Sequence, residues 1–423
     1  MNRAHTPSAH KSRRGGPEGA SENAEAGDLV ETVLGSHPFA GAPVLRASAC
    51  EGLQHWRETG GFQVVAIPAH QEEDYIPAAL DALAHAAKDA SRPPLVVVVV
   101  NNSEDGTWPQ SRKHLQRSGL PHLVLDIVLA DGQAHVGFAR RLAMDLAARI
   151  APAGMILSTD ADSQVDPGWL IAANTALNDA ALACGTIRVD PRELAALPPT
   201  VLASGEAEAE LEGALDRLWR RITGITARGF ANKGSGANLV IRARDYHAVG
   251  GLPVTPVGED RALHAAVERA GLAIRHAAEL IVTTSCRTAC RAPGGMADCL
   301  ATRSVEADPP LDAELMPAAT LLRRALVTRA LLHGDARLQA RLTPLLGLSE
   351  ASWRALAAGP SPLAAARSSG ATCLAARRLH MTEGWREARL ARSWWDALGM
   401  GIDPVALLGQ AGDGATPAAA ACG

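Results

Sequence analysis

The sequence predicts an α/β protein: a doubly wound, mostly parallel sheet flanked by helices, followed by an α-helical C-terminal extension. Three observations predict it. Leu95-Val96-Val97-Val98-Val99-Val100 is an uninterrupted, largely β-branched run of the kind found in strands covered on both faces. Runs of this type alternate about four times with segments whose apolar residues recur at helical spacing. Beyond residue 308 the texture changes to Ala, Leu and Arg at helical period, and Trp353, Trp385, Trp394 and Trp395 supply apolar bulk for a packed unit.

Residues 1–27 are rich in Ser, Gly, His, Pro and charge and are expected to be disordered. Residues 28–59 read as a loosely helical lead-in, with Leu29, Val30, Val33, Leu45 and Leu53 as packing positions. Gly60-Gly61 punctuates the chain, and a domain over 60–307 opens with a strand at 62–67. Ile76, Leu80 and Leu83 mark a helix over 74–90. Strands follow at 95–100 and 123–129, the first ending on a polar loop. Gly137-Phe138-Ala139-Arg140 opens a helix, and 154–159 is the next strand. A helix over 169–183 and a short strand at 183–189 come next. In the acidic stretch 193–226, Leu211, Leu215, Leu218, Trp219 and Ile222 share a helical face, the mark of a packed helix rather than a cofactor box. Lys233-Gly234-Ser235-Gly236-Ala237-Asn238 is a loop before a strand at 239–241. A helix over 244–249 closes on Gly250-Gly251, another starts at Glu259 and Asp260 and stops at Gly271, and 280–284 is the last strand. The extension covers 308–410, with helices at 318–332 and 384–398, before a low-complexity tail at 411–423.

Composition excludes several classes. The chain of 423 residues has 41 Lys+Arg against 45 Asp+Glu, a formal net charge of -4, so no electrostatic footprint for nucleic acid is present. Four Phe and two Tyr leave few platforms for stacked bases. Seven cysteines without a Cys-x-x-Cys pair read as reduced thiols and point to the cytoplasm. Cys286, Cys290 and Cys299 cluster, yet lack the paired short spacings of a zinc site. No apolar stretch follows the N-terminal basic residues, and the longest apolar run, 95–100, is too short to span a bilayer. No transmembrane segment is expected; peripheral contact with a membrane stays open.

Candidate chemistry centres on Met155-Ile156-Leu157-Ser158-Thr159-Asp160-Ala161-Asp162-Ser163. In a continuing strand, alternation would put Asp160 and Asp162 on the same face, where their repulsion calls for a cation or a set of donors. Hard ions such as Mg2+ and Mn2+ combine one or two carboxylates with substrate phosphates. A bare Asp-x-Asp is equally the start of a solvated loop, so its surroundings decide.

Those surroundings resemble a known family. Ile67-Pro68-Ala69-His70-Gln71-Glu72, Asn101-Asn102-Ser103-Glu104-Asp105-Gly106-Thr107, Ser158-Thr159-Asp160-Ala161-Asp162 and Gly258-Glu259-Asp260, in this order, resemble the inverting GT-A glycosyltransferases of family 2. Gly236-Ala237-Asn238-Leu239 with Val249-Gly250-Gly251 is similar to that family's acceptor-side segment, and the resemblance covers roughly 62–300. It implies a GT-A fold, a nucleotide-sugar donor, a hydroxyl acceptor of unknown identity and transfer with inversion. By the same resemblance Pro68, Ala69, His70 and Glu72 hold the nucleoside, and Arg140 approaches the diphosphate while Arg141 is a surface residue. Asn102 stands where the family more often has an aspartate facing the base, keeping the acceptor oxygen and adding a donor. Asp162 is implied to coordinate Mg2+ or Mn2+ at the diphosphate, with Asp160 reaching the ribose or the metal. Asp260 is the implied general base, and Glu259 is implied to help position the acceptor or the base. Acids at a helix start are also favoured by roughly 0.3–1 kcal/mol without any catalytic reason.

One departure stands out. Thr283-Thr284-Ser285-Cys286-Arg287 lies where many metal-dependent relatives have a histidine ligand; Arg287 and Arg291 offer positive charge there instead, with His276 as a fallback ligand. Rival readings are a sugar-nucleotide nucleotidyltransferase, a non-catalytic nucleotide-binding scaffold and a dinucleotide oxidoreductase. The first expects Gly and Arg in the loop at 68–73, which has neither, and the last expects a Gly-x-Gly-x-x-Gly after the first strand.

Overall fold

The computed structural model describes residues 17–36, 43–130, 132, 134–226, 235–288, 295–359, 361–369 and 378–410. Among these, nine strands form one sheet: β1 (Val44–Glu51), β2 (Gln63–Ala69), β3 (Leu95–Asn101), β4 (His122–Val128), β5 (Met155–Ser158), β6 (Ser163–Val165), β7 (Leu182–Val189), β8 (Leu239–Arg242) and β9 (Ile274–Thr284). Their order across the sheet is β1-β4-β3-β2-β5-β8-β7-β9-β6. The centre, β4-β3-β2-β5, is parallel. β1 and β8 flank it antiparallel, β7 pairs antiparallel with β8 and parallel with β9, and β6 closes the far edge antiparallel to β9.

The apolar runs explain this layering. Successive side chains in a strand point to opposite faces. Leu95, Val97 and Val99 therefore enter one core with the helix Val136–Ile150, while Val96, Val98 and Val100 enter another with the helices Ile76–Ala86 and Trp169–Ala176. All six are fully buried, and each such side chain contributes about 1.5–3 kcal/mol. A third core joins the helix Pro199–Thr223 to Ala318–Leu332 and Met381–Gly399 through Leu211, Leu215, Trp219, Leu322, Leu326 and Trp394. Pro199–Thr223 thus packs with the extension, although in sequence it falls inside the expected 60–307 domain.

Three expectations change. The lead-in holds not only a helix, Pro17–Ser36, but the edge strand β1, whose Val-Leu-Arg-Ala-Ser-Ala-Cys-Glu alternates exposed with partly buried residues, its inward positions being mostly small, and pairs with β4. Residues 17–27, expected to be disordered, begin that helix, whereas 1–16 and the tail at 411–423 lie outside the described residues. Strand β5 stops at Ser158, and the Ser163 N–H donates to the Asp160 carbonyl at 3.1 Å, so Asp160 and Asp162 are carried by a turn between β5 and β6 rather than a continuing strand. Among the described residues no helix is long and apolar enough to cross a membrane.

Candidate active site

The exits of β2, β3, β5 and β9 meet the start of the helix Glu259–Arg269 around a cleft of about 940 Å³. Pro68, Ala69, His70 and Glu72 line it from β2, Asp160 and Asp162 from β5, and Glu259 and Asp260 from the helix. Carboxylates far apart in sequence therefore share one crevice. The loops that bring them there are laced together. Gln71 and Asn102 hold positive φ of 57° and 48°, a conformation L residues keep only where surroundings over-determine it. The Gln71 N–H donates to Ser103 Oγ at 3.0 Å, the Glu72 N–H to Thr107 Oγ1 at 2.7 Å, and His70 Nδ1 lies 2.8 Å from the Asn101 carbonyl.

Arg140 is the hub of the acid end. Its guanidinium is 3% exposed and donates to Glu259 Oε1 at 3.0 Å, Ser158 Oγ at 2.9 Å, the Gly236 carbonyl at 2.9 Å and Asp160 Oδ1 at 2.7 Å. Its pKa is moved upward: burial opposes the charge, and Asp160 and Glu259 more than restore it. All three guanidinium nitrogens, through four of their five N–H groups, bond to the protein, so Arg140 organises carboxylates at the cleft wall. Gly236, a member of the acceptor-side segment, completes the hub. Its N–H donates to Asp260 Oδ2 at 2.9 Å, and its carbonyl also accepts from Ser158 Oγ. A Cβ at Gly236 would stand 2.3 Å from Arg140 Cζ, so only glycine fits. Burial, then the charge of Glu259, raises the Asp260 pKa, with the Gly236 N–H and Arg140 pulling the other way.

The opposite end is built on Glu72 and Asp162. Arg287 donates to both Glu72 oxygens at 2.5 Å and approaches Asp162 Oδ2 at 3.2 Å. Ser285 Oγ donates to the same Asp162 oxygen at 2.7 Å. Burial and the charge of Asp160 push the Asp162 pKa up to about 6, against the opposing pull of Arg287 and Ser285. Ser285 carries no signal in the sequence beyond its place after the last strand.

Three further residues depart from expectation. The Asn102 amide is engaged on both sides, Nδ2 donating to the Leu129 carbonyl at 3.0 Å and Oδ1 accepting the Leu129 N–H at 2.9 Å; Asn101, not Asn102, lines the cleft. Asn102 thereby secures a loop instead of facing a base. Arg141 is no mere surface residue: it donates to Asp145 at 2.7 Å and to the Gly250 and Leu252 carbonyls at 3.0 and 2.7 Å, pinning the Gly250-Gly251 turn. His276 lines the cleft, yet among the described residues no three His, Cys, Asp or Glu side chains form a metal-binding group, so its fallback role finds no cluster. Arg291, Cys290 and Lys233 lie outside the described residues. The remaining donor set, two hard carboxylates in mutual repulsion, suits Mg2+ or Mn2+ only with substrate oxygens completing the shell.

Residues 64–227 match the family model described as glycosyl transferase family 2. This stretch runs from β2 through the Asp-x-Asp turn to β7 and the helix Pro199–Thr223. The match supports glycosyl transfer, and the mixed sheet with its parallel centre agrees with the α/β fold class expected from the motifs. Among solved structures the chain is similar to S. aureus TarS 1–349 in complex with UDP-GlcNAc, at 16% identity and a TM-score of 0.40, covering 69% of this chain and 78% of that one. It is also similar to the mannosyltransferase PcManGT from Pyrobaculum calidifontis in complex with GDP-Man and Mn2+, at 16% identity and a TM-score of 0.40, over 93% and 90% of the two chains. Glucosyl-3-phosphoglycerate synthase from Mycobacterium tuberculosis, in complex with phosphoglyceric acid, matches at 16% identity and a TM-score of 0.32, over 58% and 79%. No curated protein matches.

The matched segment 64–227 does not line the cleft alone. Asp312, Glu314 and Arg378 from the extension also line it, beside Glu208 and Glu212 of the helix Pro199–Thr223. Arg261, next to Asp260, donates to Asp312 at 2.8 Å and so ties the helix Glu259–Arg269 to the extension.

Proposed function

We propose that the protein moves a sugar from a nucleotide-diphosphate sugar to an acceptor hydroxyl, inverting the anomeric carbon in one displacement. The reading is carried by one observation: Arg140 joins Asp160 from the Asp-x-Asp turn to Glu259, beside Asp260, with Gly236 bonded to both Arg140 and Asp260. Asp260 takes the acceptor's hydroxyl proton as the acceptor oxygen bonds to the anomeric carbon, and the bond to the diphosphate breaks with its electron pair leaving on the nucleotide. A raised pKa makes Asp260 a better proton acceptor than an exposed carboxylate. Glu259, fixed by Arg140, holds the base in register.

Pro68, Ala69, His70 and Glu72 form the nucleoside side of the cleft, and Asp162 with Asp160 would hold Mg2+ or Mn2+. When bound, that ion supplies Lewis-acid stabilisation of charge on the departing diphosphate. Among the described residues Cys286 and Cys299 are free thiols, in keeping with a cytoplasmic setting.

A thermal-shift screen of nucleotide sugars with Mn2+ identifies the donor, because a ligand of the folded state raises its apparent stability. With that donor, Asp260→Asn is expected to lower kcat by about 10²–10⁴-fold while the fold is retained. Unchanged transfer in both Asp260→Asn and Asp162→Ala overturns the mechanism.

A further inference from the structure

Glu72 and Asp162, the two carboxylates that face the proposed donor from separate loops, are bound by one side chain. Arg287 grips both Glu72 oxygens at 2.5 Å, lies 3.2 Å from Asp162, and rests over the Tyr75 ring at 5.0 Å. The two residues before it are anchored by Ser285 Oγ to Asp162 at 2.7 Å and the Cys286 N–H to Glu193 at 2.5 Å. A guanidinium keeps its charge at any working pH. The positive charge demanded by the Asp-x-Asp turn is therefore already supplied from within the chain.

We infer that Arg287 is a resident cation that occupies the metal-facing side of Asp162 and is handed over to the donor's diphosphate when ion and nucleotide bind. The inference rests on the proposed donor-site reading and adds to it an order of events. A divalent ion at Asp162 and a guanidinium at the same oxygen repel one another, so the free protein binds the ion weakly. A diphosphate offers the guanidinium replacement acceptors in fork geometry, which releases Asp162 and Glu72 together. Ion and nucleotide consequently bind with positive coupling, each strengthening the other by the same factor. Arg287 is suited to move and Arg140 is not: its side chain is 17% exposed against 3%.

The test is Mn2+ binding to the full chain without nucleotide, read from the electron paramagnetic resonance of the free ion, and repeated with saturating UDP and GDP. Arg287→Gln, which keeps polarity and loses charge, is expected to tighten Mn2+ on the order of tenfold, while Arg287→Lys stays near the parent value. The coupling between Mn2+ and whichever nucleotide binds is expected to fall toward one in Arg287→Gln. The gained affinity should vanish in Arg287→Gln/Asp162→Asn. A merely structural arginine would weaken both ligands on removal; unchanged or weaker Mn2+ binding in folded Arg287→Gln, or a gain that survives Asp162→Asn, overturns the inference. A parent protein that transfers no sugar yet shows this Mn2+ pattern sinks the proposed activity alone, and an active protein without the pattern sinks the resident cation alone.

Discussion

Two arginines divide the cleft between them, and they are not equivalent. Arg140 sits at the acid end, buried, with four hydrogen bonds to Glu259, Ser158, Gly236 and Asp160. Arg287 sits at the opposite end, partly exposed, holding Glu72 and touching Asp162 from a short irregular segment. One is enclosed by the strand β5, the helix Val136–Ile150 and the glycine that precedes β8; the other leans on loops and an aromatic face. The same side chain is thus used once as scaffold and once as a contact that can be exchanged. The physical reason is desolvation: a charge removed from water on every side stays put because leaving its partners uncompensated costs more than any ligand returns.

The contrast breaks most visibly at Arg140. Arg140→Met leaves Asp160 and Glu259 without their shared counter-charge and is expected to cost about 3–5 kcal/mol, read from the denaturant midpoint. If it melts like Arg287→Gln, the distinction between the two arginines fails. Gly236→Ala comes next. Its Cβ would overlap the Arg140 guanidinium, and displacing that group should cost roughly 1–3 kcal/mol and lower kcat, both recovered by no other substitution at this site.

Acidity sharpens the comparison further. A base must be ionised to act, and the Asp260 pKa lies above the ordinary carboxylate value. The acid limb of kcat/KM is therefore expected at higher pH than for an exposed aspartate, and it should disappear in Asp260→Asn. For stability the sign is opposite. A carboxyl whose folded pKa exceeds its unfolded one favours the fold when protonated, and that contribution is lost as pH rises through the folded value. Asp260→Asn should accordingly hold or raise Tm at neutral pH while activity collapses. The smallest effect belongs to the exposed tie between domain and extension: Arg261→Ala removes a pair with both side chains about two-fifths exposed, and is expected to change stability by no more than about 1 kcal/mol.

Much of the architecture was legible in single segments. The run at 95–100 demanded cover on both faces and received it, and the helix at 318–332 followed from spacing alone. The strand β1 was not legible, because its alternating inward positions are mostly small residues such as Ala47 and Ala49, only partly buried, and the strand is fixed by its partner's backbone. Asn102 was read as facing a ligand because a polar loop residue has no visible partner in a sequence; the backbone of Leu129, which takes up its amide, is adjacent only after β3 and β4 pair.

The sequence by itself determined which residue types were present to act: carboxylates at strand exits and a helix start, a glycine before β8, and arginines at two separate places. It also determined that the strands would be buried, since hydrophobic patterning is local and survives without knowledge of partners. Only the tertiary structure decided which arginine answers which carboxylate. Hydrogen bonds and ion pairs are short-ranged and directional, so Arg140 with Asp160 and Glu259, or Arg287 with Glu72 and Asp162, become partners only when the crossing of separate loops brings their atoms within about 3 Å.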